Sequence, residues 1–299
     1  MDNHSAPSMD FTGPDTDASW FREETVPGCR HGNVSHGFKI AKLVYEGRSR
    51  FQKYLIFDNP VYGRVLVLDG IVQFSTSDEF IYHEMLIHPA MFAHPDPRRV
   101  VIAGGGDGGA LREVLKHDPE EVVMIDIDEQ FVRTAAAHLP SLNAGAFEDP
   151  RVTLLFEDAS EALLRYEGAF DVAIIDCNGN VGPSEALFEE KFHATVSRAL
   201  TEDGLCAVQA GSLLDEELLR QTHHNITRQL GQTTGFRLTM PSYHCGEYAF
   251  MVASKKHEPT GPTPARLAEI QAERGVATQH WSHDIHHASQ VLPPRLRLW

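Results

Sequence analysis

The sequence predicts an α/β protein in which a doubly wound sheet follows a small N-terminal antiparallel β domain. Three observations carry this. From residue 99 onward, nearly continuous apolar runs alternate with helical patterns, as strands covered on both faces require. One such run passes through a glycine-rich loop into a helix, the arrangement found at the ligand-binding edge of open α/β sheets. Before residue 79 the apolar runs are short and punctuated by glycine and turn residues, with no helix between them.

Residues 1–18 are polar, rich in Pro, Gly, Ser and Asp, and without periodicity; a disordered N-terminal segment is expected there. The β domain is expected over residues 19–78. Phe38–Val44 alternates as one strand, Tyr54–Phe57 is an apolar burst, and Gly63–Gly70 is bounded by glycines. Asp69-Gly70 marks a hairpin turn into Val72-Gln73-Phe74. A first helix over Glu79–Ala93, with Ser77 or Asp78 as cap, opens the doubly wound domain, expected over residues 79–256. Its strands are read at Arg99–Ala103, Glu121–Ile127, Val152–Phe156, Ala169–Ile175 and Gly204–Gln209. Helices are read at Ala110–His117, Glu129–His138, Ser160–Tyr166, Glu185–Leu200 and Asp215–Leu230. Gly235–Pro241 and Tyr248–Ser254 read as an antiparallel edge, and residues 257–299 as a packed C-terminal tail.

Composition narrows the function. The 299 residues hold 26 Lys and Arg against 42 Asp and Glu, a formal charge of −16, which argues against a nucleic-acid partner. No apolar run reaches the roughly 20 residues that cross a bilayer, so no membrane partner is expected. The N-terminus has neither the basic start nor the apolar core of a secretory signal. Four scattered cysteines without paired metal spacing fit a reduced, cytoplasmic protein.

The strongest local signal is Val100-Val-Ile-Ala-Gly104-Gly-Gly106-Asp107-Gly-Gly109. Gly104, Gly106 and Gly109 satisfy G-x-G-x-x-G, so a dinucleotide enzyme competes, with Asp126 or Asp128 as its acidic partner. Asp107 opposes that reading, because a pyrophosphate on the helix N-terminus would face its carboxylate. A cationic ligand reverses the sign. Asp126 ends the next strand, where it can accept from ribose hydroxyls, and Glu157-Asp158-Ala159 follows the third, offering a carboxylate to an adenine amino group. An adenosine-containing donor without phosphate fits these acids better than a dinucleotide does. The fourth strand ends at Asp176, beside the same crevice, and Tyr82 and His83 stand early in the first helix. The tail run Trp281-Ser-His283-Asp-Ile-His286-His287 lacks a zinc-like ligand set and reads as structural; no metal site is expected.

Together these segments resemble the polyamine aminopropyltransferases, the spermidine synthase family. The likeness rests on Leu66-Val-Leu-Asp-Gly-Ile-Val-Gln73, Asp78-Glu-Phe-Ile-Tyr82-His83-Glu84-Met85, the loop from Gly104 to Val114, and Val181-Gly-Pro-Ser-Glu-Ala-Leu-Phe188. Trp20-Phe-Arg-Glu23 and Asp284–Pro293 extend it over about residues 19–294. The resemblance implies a methyltransferase-like Rossmann domain, a homodimer or homotetramer, and no permanently bound cofactor. It implies decarboxylated S-adenosylmethionine as co-substrate, a small-molecule amine as acceptor, and release of methylthioadenosine. By matched position, Asp107 would bind the donor's aminopropyl ammonium, Asp126 its ribose, and Asp158, with Glu157 and Ala159, its adenine. Gln52, His83, Gly104 and Gly106 would complete the donor site. Asp176 and Tyr82 would hold and deprotonate the attacking amine, while Gln73, Gln209 and Tyr243 would line the acceptor end.

That chemistry needs a base. An alkyl amine with a pKa near 10.4 is neutral in only about one molecule per 2,000 at pH 7, a deficit of roughly 4 to 5 kcal/mol unless the proton is taken. The leaving thioether is neutral and needs no acid. One departure stands out: where the family has Asp-x-x-Asp-Pro-x-Gly-Pro, this chain has Asp176-Cys-Asn-Gly179-Asn-Val-Gly-Pro. The missing carboxylate at Gly179 predicts an acceptor other than a plain diamine, bulkier or less cationic at its far end. Two alternatives stay open: a transferase using intact S-adenosylmethionine to move a methyl or carboxyaminopropyl group, and a non-catalytic paralogue that binds nucleoside or a protein partner.

Overall fold

The computed structural model describes residues 19–24, 35–177 and 182–296. The N-terminal segment expected to be disordered, residues 1–18, lies outside the described residues, and so does Gly179.

Strands β1 (Trp20–Glu24) and β2 (Ser35–Lys39) form a two-stranded antiparallel sheet. An antiparallel meander follows, of β3 (Lys42–Arg48), β4 (Lys53–Asn59), β5 (Gly63–Leu68) and β6 (Ile71–Ser75). The single strand expected over Phe38–Val44 is therefore two. The backbone N–H of Ile40 still donates to Ser19, but that of Ala41 donates to Asp58, so the chain changes partner sheet between them. The Asp69-Gly70 turn joins β5 to β6 as expected, both residues having positive φ.

Helix α1 (Glu79–Ala93) leads into β7 (Arg99–Gly104), α2 (Gly109–Leu115), β8 (Glu121–Ile125), α3 (Glu129–His138) and α4 (Pro140–Asn143). Then come β9 (Val152–Leu155), α5 (Ala159–Ala162), β10 (Phe170–Asp176), α6 (Glu190–Ala199), β11 (Leu200–Ser212) and α7 (Glu216–Leu230). β12 (Gln232–Thr239) and β13 (Glu247–Ser254) close the sheet, and α8 (Pro264–Arg274) and α9 (His283–Ala288) form the tail. The long helix expected over Glu185–Leu200 is broken. A 3-10 stretch, Gly182–Phe188, precedes α6, and Glu189 between them is extended at φ −75° and ψ 147°.

The seven strands lie in the order β12-β13-β11-β10-β7-β8-β9. β7 to β11 are parallel, and β13 runs antiparallel to both β11 and β12, the edge the sequence predicts. Alternate residues feed two cores. Val100, Ile102, Val122, Met124, Val172 and Ile174 pack under α1, α2 and the tail. Val101, Ala103, Val123, Ile125, Ala173 and Ile175 pack under α6 and α7. The tail is held by Glu84, fully buried on α1, which accepts the backbone N–H groups of Gln279, His280 and Trp281 at 2.7–2.8 Å. Among the described residues no helix is long and apolar enough to cross a membrane.

Candidate active site

Chain order reverses between β7 and β10: β8 and β9 continue on one side, β11 on the other. A crevice opens at that switch point, where an open α/β sheet binds ligands. β7 ends at Gly104 and β10 at Asp176, paired in register. Gly104 has φ +87°, and a Cβ there would stand 1.9 Å from the Asp176 carbonyl oxygen. That same oxygen accepts from Gly105 N–H at 2.9 Å, so the loop turns directly over the strand end. Gly109, opening α2, admits the His83 ring, which a Cβ would meet at 2.4 Å.

Asp107 sits in this loop and accepts from Gly109 N–H at 2.7 Å, so its own carboxylate occupies the N-terminus of α2 that a phosphate would need. His83 Nε2 lies 3.6 Å from Asp107 Oδ1, while His83 Nδ1 lies 2.7 Å from Glu79 Oε2, one helical turn earlier. Arg112 completes the chain with bonds of 2.9 and 3.0 Å to the two oxygens of Glu79. Burial works against a charged His83, but Asp107 and Glu79 outweigh it and lift its pKa to about 10. Burial likewise opposes ionisation of Asp107, and His83 more than offsets it, holding the carboxyl below its usual range.

Asp126 lies across the loop, accepting from Asp128 N–H at 2.8 Å; burial, and to a lesser degree the charges of Asp128 and Asp107, raise it to about 6. Asp158 and Ala159 line the far wall, Asp158 capping α5 through a 2.7 Å bond from Ser160 N–H. Glu157 does not join them. Its carboxylate pairs with Arg165 at 2.6 Å and does not line the crevice. Asp128 is turned away as well. It caps α3 and accepts from Ser49 Oγ and Gln52 Nε2 at 2.6 and 3.1 Å, tying the small domain to the large one.

At the other end Tyr82 Oη donates to Asp176 Oδ1 at 2.9 Å, its ring packed edge-on against Phe250. Asp176 Oδ2 is buried and has no hydrogen-bond partner among the described residues, and the same holds for Gln209 Oε1. Burial first, and the nearby Asp107 second, push the Asp176 carboxyl up to about 7. Burial also drives the Tyr82 and Tyr243 hydroxyls well above their ordinary range, so both remain donors. Tyr243 spends its hydroxyl on the Gln73 carbonyl at 2.6 Å. Gln52, Gln73, Gly104, Gly106, Asp107, Asp126, Asp176, Gln209 and Tyr243 thus face one crevice, with Tyr82 and His83 on its floor.

Sequence reading missed two parts of this site. Phe51, Leu66, Leu68 and Ile71 of the small domain form an apolar roof that reads locally as strand core. Glu79 and Arg112 clamp His83 from behind; the Glu79–His83 spacing of four residues was visible, but Arg112 comes from another helix. The crevice concentrates carboxylates against a single imidazolium, a field that favours a cationic ligand.

The chain matches two family models: the spermine/spermidine synthase domain over residues 79–261 and the spermidine synthase tetramerisation domain over residues 19–76. It is 37% identical to polyamine aminopropyltransferase 1 of Aquifex aeolicus, over 83% of this chain and 88% of that one. With the polyamine aminopropyltransferase of Caldicellulosiruptor bescii it shares 33% identity over 92% and 95% of the two chains. Among solved structures, a spermidine synthase in complex with the transition-state analogue AdoDATO superposes with a TM-score of 0.87 at 32% identity, covering 93% of this chain and 94% of that one. Spermidine synthase from Thermotoga maritima gives 0.86 at the same identity, with 94% of each chain covered.

Proposed function

The chain belongs to the spermine/spermidine synthase family and is a polyamine aminopropyltransferase, and from that premise we propose the reaction it performs. The aminopropyl group of decarboxylated S-adenosylmethionine passes to an amine, and methylthioadenosine leaves. The observation that carries this reading is Asp176: a buried carboxylate lining the crevice, with one oxygen held by Tyr82 and the other unpartnered among the described residues.

The roles follow from position. Asp107 holds the donor's ammonium, Asp126 accepts from its ribose, and Asp158 and Ala159 face its adenine, with Gln52, Gly104 and Gly106 shaping the cleft. His83 acts on Asp107, balancing part of its charge when no donor is bound. The acceptor lies against Gln73, Gln209 and Tyr243. Its nitrogen, oriented by Tyr82 and Asp176, attacks the methylene beside the sulfonium. The C–N bond forms as the C–S bond breaks, its electron pair stays on sulfur, and the amine proton passes to Asp176. A carboxylate with a pKa near 7 suits a base that must be ionised yet able to take a proton at neutral pH. Pairing two bound reactants supplies much of the remaining acceleration.

Charge supports a decarboxylated donor. An intact donor would bring its carboxylate toward Asp107, which is already anionic. Gly179 in place of the family's second acid supports an acceptor without a strong cation at its far end. The match to a tetramerisation domain supports a homodimer or homotetramer.

Mass spectrometry of products from each donor form with a panel of amines tests the reading. The expected product is an amine heavier by one aminopropyl group, formed from the decarboxylated donor alone. Transfer of a methyl or carboxyaminopropyl group, or binding without turnover, overturns it. Full activity on putrescine with poor activity on every other amine sinks the altered acceptor while leaving the transfer intact.

A further inference from the structure

At the opposite, amino edge of the seven-stranded sheet, three side chains from distant parts of the chain converge. His94 follows the last residue of α1, Asp203 lies near the start of β11, and His257 follows β13. One ligand atom from each lies within 4.8 Å of the others. The imidazole rings meet edge to face with centroids 5.2 Å apart, and His257 Nε2 stands 3.6 Å from Asp203 Oδ2, beyond hydrogen-bond reach. Nε2 of His94 and Nε2 of His257 are both buried and make no hydrogen bond among the described residues. His94 as a whole is only 5% exposed. Two imidazole nitrogens shut away from water, with the nearby carboxylate beyond hydrogen-bond reach of His257 Nε2, are costly unless something satisfies them.

We propose that His94, Asp203 and His257 form a binding site for a divalent transition-metal ion of the zinc class. The donor set of two imidazoles and one carboxylate is that of open three-ligand zinc sites, whereas calcium and magnesium take oxygen cages. Tetrahedral zinc with bonds of about 2.0–2.1 Å sets its ligand atoms about 3.3 Å apart. The 3.6 Å pair is already close to this, and the half-exposed His257 and Asp203 can rotate to close the rest. Asp203 Oδ1 is occupied by Thr201 Oγ1 at 3.2 Å, leaving Oδ2 for the ion. His94 Nδ1 accepts from Asp96 N–H at 3.2 Å, so metal entry at Nε2 requires the other tautomer and sets Nδ1–H against that amide, a cost that the metal–imidazole bond has to exceed.

β7, which runs from this edge of the sheet to the catalytic crevice, is six residues long, so the two sites are separated by about 20 Å. The ion would clip the end of α1 to β11 and to the start of the tail, acting on stability rather than on transfer. Nothing in the sequence announces it, because the ligands are spread from residue 94 to residue 257.

The test is zinc titration of the untagged full-length protein by calorimetry and thermal melting, with His257→Gln and Asp203→Asn beside it. One ion per chain is expected, with a rise in melting temperature. In both variants affinity falls more than about tenfold and the rise is lost, while metal-free melting stays as in the parent. X-ray absorption of the zinc-loaded parent protein reads two imidazoles plus oxygen independently of any variant. No uptake, equal uptake by both variants, or a first shell with fewer than two imidazoles overturns the site.

Discussion

At the scale of the residue, the proposed catalysis turns on where one carboxyl group is left dry. Asp176 is raised to about 7 by burial and then by Asp107, and Tyr82's hydrogen bond pulls it partly back. For the amine substrate kcat/KM is therefore expected to rise with pH along a limb near 7, distinct from the amine's own ionisation near 10.4. In Asp176→Asn that limb disappears and kcat drops by about 10²–10⁴. In Tyr82→Phe the limb moves to higher pH, because the bond favouring the carboxylate is gone; stopped assays across pH 5.5–9, about the window of interest, read both. The same group costs stability. The unfolded carboxyl loses its proton near 3.8 and the native one near 7, so between these values the native state binds more protons and stability falls as pH rises. Asp176→Asn should thus melt above the parent at pH 8 and lose that advantage toward pH 4, and an equal advantage at both would refute the account. Asp107, Asp126, Asp158, Asp176, Tyr82 and His83 could be picked out in sequence because each stands at a strand exit or in a dense motif. Glu157 and Asp158 are neighbours at one exit, and the sequence does not say that the first pairs with Arg165 while the second lines the crevice.

At the scale of the element, the glycine loop is a steric solution before it is a binding one. Gly104 takes a left-handed turn against the Asp176 carbonyl, which leaves no space for a Cβ. Gly104→Ala is expected to destabilise the fold by more than about 1 kcal/mol and to abolish transfer, as urea unfolding and assay would show. Unchanged stability would mean that the loop has room to move. The glycines and the turn direction were legible because such loops have few residue choices. The break at Glu189 was not, since the apolar spacing of residues 185–200 continues through it while Glu189 itself is extended.

At the scale of the whole molecule, the crevice exists only because separate parts of the chain close on it. The small domain supplies its roof and is tied down by Ser49 and Gln52 on Asp128, and by Asp78 on Ser242. The tail is locked by three amides on Glu84 and by Trp281 stacked on Phe92 at 4.5 Å. Glu84→Ala strands those three donors, each worth about 1–3 kcal/mol when buried unpaired, so a loss above about 3 kcal/mol is expected in thermal or urea unfolding. A change below 1 kcal/mol, about the scale of a surface substitution, would show that water replaces the carboxylate. Light scattering is expected to read two or four chain masses, and a single chain mass would refute the oligomer. By itself the sequence determined the α/β alternation, the glycine loop and the acids at the strand ends, because periodicity and backbone sterics act between near neighbours. Only the tertiary structure decided which of those acids meet, which oxygen of Asp176 stays unpartnered among the described residues, and that His94, Asp203 and His257 share one corner. Burial and charge are properties of what packs around a residue, and those neighbours come from elsewhere in the chain.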